Sequence, residues 1–425
     1  MFQTRNAAPG VRVLCVKTDN FKNNIVDISM AVPLDESAAA NALLIRLLSR
    51  TSRDYPDFTR LNAKLDELYG ATIDFDVGKS GDAQVLSLYI NCLDDRFSLS
   101  GDTITDKCIE LLMSMLFNPD VKNRSFGADK LATEKRLLIN EILDEKDDKR
   151  AYALKKCISY MCENEPFGRD ERGTQEEISS VKMADVYAAW KNILKTAVFQ
   201  VTVVGGTDID GITGILSSQF SKIEREPCEI RTVFKKKASG FKRYEESEPV
   251  NQGKLVMGYR SGMESADDGY YKTMVMTDIF GGGTYSKLFA NVREKMSLAY
   301  YCSASLYKSK GLIIVQSGID TDKEKTASAA IINQLNDVRD GNFDDEVLMA
   351  SKRSIRERLT FSNPNSICTW YDNFILTDKI LSPDQVIAEV EKVTRKDVME
   401  AAKRVSLDKI FMLSASAEEE EPGEN

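Results

Sequence analysis

Two stretches half a chain apart share a pattern, and that duplication constrains the fold more than any other feature. VKMADVYAAW, from Val181, and VTRKDVMEAAK, from Val393, each place Asp-Val four residues after a Val (Asp185-Val186 and Asp397-Val398), with Ala189 and Ala401 following in step. The copies lie 212 residues apart, and each runs into a short apolar strand, FQVTVVG or KIFMLSAS. A second echo pairs EKRLLINEIL from Glu134 with SKRSIRERLT from Ser351, 217 residues on. Similar offsets in the same order favour two homologous halves. A chain of 425 residues is long enough for two or more domains with their own cores.

The elements between these anchors mix two periods, so the fold class is α+β. Alternation predicts strands at 11–16, 25–32, 71–77, 83–92 and 199–205, then at 254–259, 298–307, 312–318 and 410–413. Helical spacing predicts 37–48, 57–68, 106–116, a long run over 129–161, 183–194 and 209–220 in the first half. In the second half it predicts 269–279, 286–295, 322–338, 344–360, 365–376, 383–393 and 395–405. The charge run Glu145–Arg150 reads as a solvated bend or face. The expected domains are 1–225 and 249–425, each a mostly antiparallel sheet covered by helices, joined by a polar, Lys-rich linker over 226–248. The acidic end, EEEEPGEN, has the composition of a disordered tail.

Composition removes whole classes of function. The chain contains no histidine, so Ser-His-Asp triads, Cys-His pairs and His-based zinc sites are impossible in it. A histidine-free hydrolase would need clustered carboxylates, and acidic groups such as Asp144–Asp148 are more often solvated helix surface. The net charge of −9 and the lack of a basic, aromatic-interleaved stripe argue against a nucleic-acid partner. No apolar run reaches the roughly 18 residues of a membrane span, and the first residues lack the apolar core of a signal peptide. Eight scattered cysteines without a CxxC pair read as reduced thiols, so a cytoplasmic setting is expected.

The stretch FGGGTYSKLFANVREKMSLAYYCSASLY, from Phe280, carries the chemistry. Gly281, Gly282 and Gly283 interrupt two helices, where glycine allows positive φ or close backbone approach. Arg293 near the end of the second helix and Tyr300 at the start of the following strand set a cation and a phenol beside that turn. Such a corner could hold a peptide backbone or a carboxylate. The competing structural reading is a plain helix–helix turn with Arg293 as a C-terminal dipole partner. The absent GxxxxGK[ST], and a helix where a strand should precede the glycines, argue against a phosphate loop.

FxGG followed by SxLFxxVREKxxLAY resembles the C-terminal half of the M16 metallopeptidases, the insulinase, pitrilysin and mitochondrial processing peptidase family. The duplicated halves and the linker agree with it over essentially the whole chain. In active relatives the first half carries HxxEH on a helix, two His binding zinc and the Glu acting as general base, with a further Glu as third ligand. With Tyr55-Pro56 as anchor, the resemblance puts Ala42 and Arg46 at the His positions, Ile45 at the base and Ala132 at the third ligand. None can serve, so the chain is not expected to be an enzyme on its own, and zinc is expected only in a partner.

Two-subunit relatives divide the work, one chain holding zinc while the other supplies an Arg and a Tyr with a glycine loop. The resemblance therefore implies that Arg293, Tyr300 and Gly281–Gly283 bind a peptide substrate at the HxxEH site of a partner subunit. A heterodimer is implied, with a homodimer open to the isolated chain. DELYGA (Asp66–Ala71) and the missing ligands are closest in appearance to the inactive bacterial subunit associated with aminopentanol modification of elongation factor P. The alternative is a structural scaffold like the core subunits of the respiratory cytochrome complex.

Overall fold

A computed structural model describes residues 2–206, 208–238 and 240–415, and the acidic tail lies outside them. The chain forms two α+β units. The first comprises 1–142, 169–231 and 361–382, the second 143–168, 232–360 and 383–425.

In the first unit six strands stand in the order β1 (Phe2–Ala8), β2 (Val11–Lys17), β6 (Val198–Gly205), β3 (Asn23–Pro33), β5 (Ala83–Leu93), β4 (Thr72–Ser80). All neighbours are antiparallel except β2 and β6. The helices are α1 (Ala38–Leu48), α2 (Phe58–Glu67), α3 (Ile104–Phe117), α4 (Ala128–Asp144), α6 (Gln175–Ser180), α7 (Met183–Thr196) and α8 (Ile209–Phe220). Their apolar faces join Val26, Ile28, Leu86 and Leu88 of the sheet in one core. The opposite sheet face is covered by α12 (Pro364–Asp372), whose Cys368 and Tyr371 pack on Leu14, Ile25 and Val204. Cover on both faces explains why β3 is buried at nine consecutive positions instead of alternating.

The second unit repeats this topology: β7 (Lys242–Glu248), β11 (Ser406–Ala415), β8 (Gly253–Arg260), β10 (Leu312–Ile319), β9 (Tyr301–Tyr307), with only β7 and β11 parallel. Thus β7, β11, β8, β10 and β9 correspond to β2, β6, β3, β5 and β4, and the first unit adds β1 at its edge. Its helices are α9 (Tyr270–Gly281), α10 (Glu324–Asp340), α11 (Asp345–Arg358), α13 (Pro383–Lys392) and α14 (Arg395–Arg404), with α5 (Lys149–Met161) on the other sheet face. A Cβ at Gly258 of β8 would lie 2.0 Å from Met161 Sδ, so glycine there lets α5 lie close to the sheet. The connection after α5 is fixed by buried charges: Glu165 takes Arg260 and Lys310 at 2.9 Å each, and Arg260 Nε reaches Asp408 at 2.7 Å. Breaking one partner of such a network leaves an uncompensated buried charge.

The structure departs from the sequence expectations at four points. β7 lies inside the stretch expected to be a linker, and β1 was not expected at all. The run over 129–161 is two helices, α4 and α5, and the charged bend at 145–148 separates them. Residues Leu288–Lys295 form a π-helix, not an α-helix, with Met296 N–H donating to Asn291 O at 2.9 Å. Among the described residues no helix is long and apolar enough to cross a membrane.

Candidate functional site

α1 follows the central strand β3 and is buried along its whole length. Ala42 and Ile45 are core residues of the first unit. Arg46, 5% exposed, points across to α4. Its Nη1 and Nη2 donate to Glu141 Oε2 and Oε1 at 2.9 and 2.8 Å, and its Nε donates to Glu134 Oε2 at 2.9 Å. Arg50 adds a 3.2 Å contact to Glu134, and the Phe75 ring of β4 lies 5.1 Å from the Arg46 guanidinium carbon. Burial alone would lower the Arg46 pKa, but its hydrogen bonds to Glu141 and Glu134 outweigh it, and the pKa is raised.

This corner does not fit zinc. Methyl and butyl groups offer no ligand atom, and a guanidinium in permanent positive charge holds the carboxylates a cation would need. Among the described residues no three His, Cys, Asp or Glu side chains are grouped to hold a metal ion. Ala132 is exposed on α4, and the α4 side chains that meet Arg46 are Glu134 and Glu141. The sequence reading missed both. The available signal was their spacing in EKRLLINE: seven residues apart, they share one helix face.

In the second unit α9 follows the central strand β8 and ends at Gly281. A Cβ there would stand 2.5 Å from Ala304 N on β9, so only glycine lets helix and strand approach. None of Gly281, Gly282 and Gly283 has positive φ, so close approach is the reason for glycine here. Buried Asp278, one turn earlier, accepts hydrogen bonds from the Tyr285 hydroxyl and the Arg358 guanidinium. Burial, then the Asp278 carboxylate, pushes the Tyr285 phenol up to about 12.

The π-helix carries Arg293. Leu288 and Val292 are buried, and the Asn291 amide donates to Gln334 Oε1 at 2.6 Å. Wide turns of this kind are frequent at functional positions. The Arg293 guanidinium carbon stands 4.6 Å from the Phe289 ring centre, and its Nε lies 3.4 Å from Glu294. Tyr300 immediately precedes β9, is 61% exposed, and donates its hydroxyl to Asp320 Oδ1 at 3.2 Å. Arg293 and Tyr300 therefore keep separate partners, with polar ends reachable from solvent. Chemically, the pair can donate hydrogen bonds and positive potential to a carbonyl or carboxylate.

Residues 180–355 match the family model for the peptidase M16 inactive domain. The chain is 27% identical over 410 residues, 96% of each chain, to a probable inactive metalloprotease, YmfF, of Bacillus subtilis. It is also 23% identical to an uncharacterized zinc protease of that organism, YmxG, over 72% of this chain and 73% of the relative. A conserved protein from Enterococcus faecalis superposes with a TM-score of 0.88 at 25% identity, covering 99% of this chain and 100% of that one. A peptidase M16 inactive domain from Pseudomonas fluorescens shares the fold at TM-score 0.78 and 17% identity, covering 98% of both chains. The duplicated fold and these matches make the chain similar to M16 peptidases and to relatives described as inactive, and its ion-paired corner has a guanidinium holding the carboxylates.

Proposed function

We propose that this chain is the non-catalytic subunit of a two-chain M16-type zinc peptidase, working in the cytoplasm beside a partner that carries HxxEH and the metal. Arg293 and Tyr300 donate hydrogen bonds to the substrate near the scissile bond and stabilise its developing negative charge, while Gly281–Gly283 bring helix and end strand together beside the peptide. The observation that carries this reading is the contrast between the two corners: Arg46 is sealed by Glu134 and Glu141, whereas Arg293 and Tyr300 are solvent-facing. Main-chain pairing with an end strand, β4 or β9, is the expected mode of peptide recognition. The likeness of DELYGA to the subunit linked with elongation factor P modification extends the proposal to that setting.

Mixing the purified chain with an HxxEH partner and following cleavage of a quenched-fluorescence peptide tests the reading. Cleavage that rises when the chain is added supports it. Cleavage unchanged by the chain favours the scaffold alternative and overturns it.

A further inference from the structure

Between α9, β9 and α11 the second unit holds a cavity of about 400 Å³, lined by Tyr270, Met274, Thr277, Asp278, Leu306 and Arg358. It lies where the duplication places the sealed corner of the first unit, since Arg358 stands in the repeat where Glu141 stands in the first copy. In the first unit one guanidinium meets two carboxylates and the corner is closed. Here the guanidinium comes from the other helix and meets a single carboxylate, and the corner is open.

Two observations point to a ligand. Arg358 spends one N–H on Asp278 and another on Ser354 Oγ at 2.9 Å, while its side chain is 51% exposed. A guanidinium has five N–H donors in a planar fork, so one edge is anchored and another is presented with little freedom to lose. Independently, Thr277 is 3% exposed, lines the same cavity, and has a hydroxyl without a hydrogen-bond partner among the described residues. Leaving a buried hydroxyl unsatisfied is unfavourable, and a bound acceptor would relieve that.

We infer that this cavity binds a carboxylate carried by an extended peptide, with the exposed edge of Arg358 as the principal donor and the Thr277 hydroxyl as a second. Both oxygens of Asp278 are already engaged by Tyr285 and Arg358, so that carboxylate serves as the anchor of the fork. Ala304, Ser305 and Leu306 of the end strand β9 form one wall, which places an extended main chain alongside the site. The inference rests on the peptide-binding reading above and names the group that would be recognised. The carboxylate can be a peptide C-terminus or an acidic side chain.

Three fluorescein-labelled hexapeptides distinguish these: one with a free C-terminus, its C-terminal amide, and the amide carrying one Glu. The expected result is at least tenfold tighter binding of one or both carboxylate peptides than of the neutral amide, and which of them binds identifies the source. The preference disappears in Arg358→Gln and in the charge-neutral pair Asp278→Asn/Arg358→Gln, which avoids stranding a buried carboxylate. Thr277→Val weakens the preferred peptide several-fold while Tm stays the same or rises. Equal affinity for all three peptides, or a preference that survives loss of Arg358, overturns this inference alone. No binding of any peptide overturns the peptide-binding reading with it.

Discussion

Glu141 and Arg358 occupy the same place in the two repeats, on α4 and α11, and each pairs with the helix that follows its unit's central strand. Glu141 takes Arg46 of α1 in a bidentate contact, and Arg358 donates to Asp278 of α9. The sign of the pair is inverted between the copies. One duplicated helix–helix corner has thus been closed by a cation on α1 and left open by a cation on α11.

Arg46→Met should be strongly destabilising for the first unit. It leaves the buried Glu134 and its neighbour Glu141 without their main counter-charge, and removing one partner of a buried pair costs about 3–5 kcal/mol. Arg46→Met with Glu134→Gln should recover a good part of that loss, because the stranded charge is then gone. Denaturant unfolding of both variants measures the difference.

Gly281→Ala should distort the corner, since its methyl group meets the backbone nitrogen of Ala304 at 2.5 Å. A loss of about 1–3 kcal/mol is expected, typical of overpacking. Gly283→Ala meets only the Tyr285 ring edge at 2.8 Å, a side chain that can shift, and should cost less. Thermal unfolding of the two variants ranks them.

Stability should fall as pH rises through the weakly acidic range. Asp27 on β3 is held well above the ordinary carboxylate range by burial and then by Asp372, while burial raises Asp372 to about 6 despite hydrogen bonds from Thr202, Cys368 and Gln200. A carboxyl whose folded pKa is raised is favoured in its protonated form. Its contribution is full below the unfolded value near 4 and is lost as pH climbs through about 6 for Asp372, with Asp27 acting in the same direction. Asp372 alone should make the unfolding free energy about 1 kcal/mol greater at pH 5.5 than at pH 7.5, and Asp27 adds to it. Asp27→Asn, which keeps an acceptor for the Ser29 hydroxyl at 2.6 Å, should raise stability at pH 7.5 and flatten the profile.

The sequence made the strong periodicities legible. The buried run of β3 and the amphipathic helices carry their own signal, as does the duplicated Asp-Val pattern, because burial there follows the residue's own helix or strand. β7 does not: KRYEESE has no apolar alternation, and it is a strand because its backbone pairs with β11. The π-helix is equally silent, since Leu288–Lys295 has the apolar spacing of an ordinary helix. The site divides in the same way. The residue types at positions 42, 45 and 46 already exclude metal ligation, but the meeting of Arg46 with Glu134 and Glu141 exists only once α1 and α4 pack. Arg358 escaped notice because in sequence it is one more charge on a charged helix.

The most direct measurement of the central claim is kcat/KM of the HxxEH partner with saturating wild-type chain, Arg293→Ala or Tyr300→Phe. Both side chains are exposed, so neither variant should lower Tm appreciably. Loss of a donor to the developing charge should reduce kcat/KM by about 100-fold for Arg293→Ala, largely in kcat. Rates unchanged by either substitution, in complexes that still assemble, would contradict the claim that this corner serves a partner's chemistry.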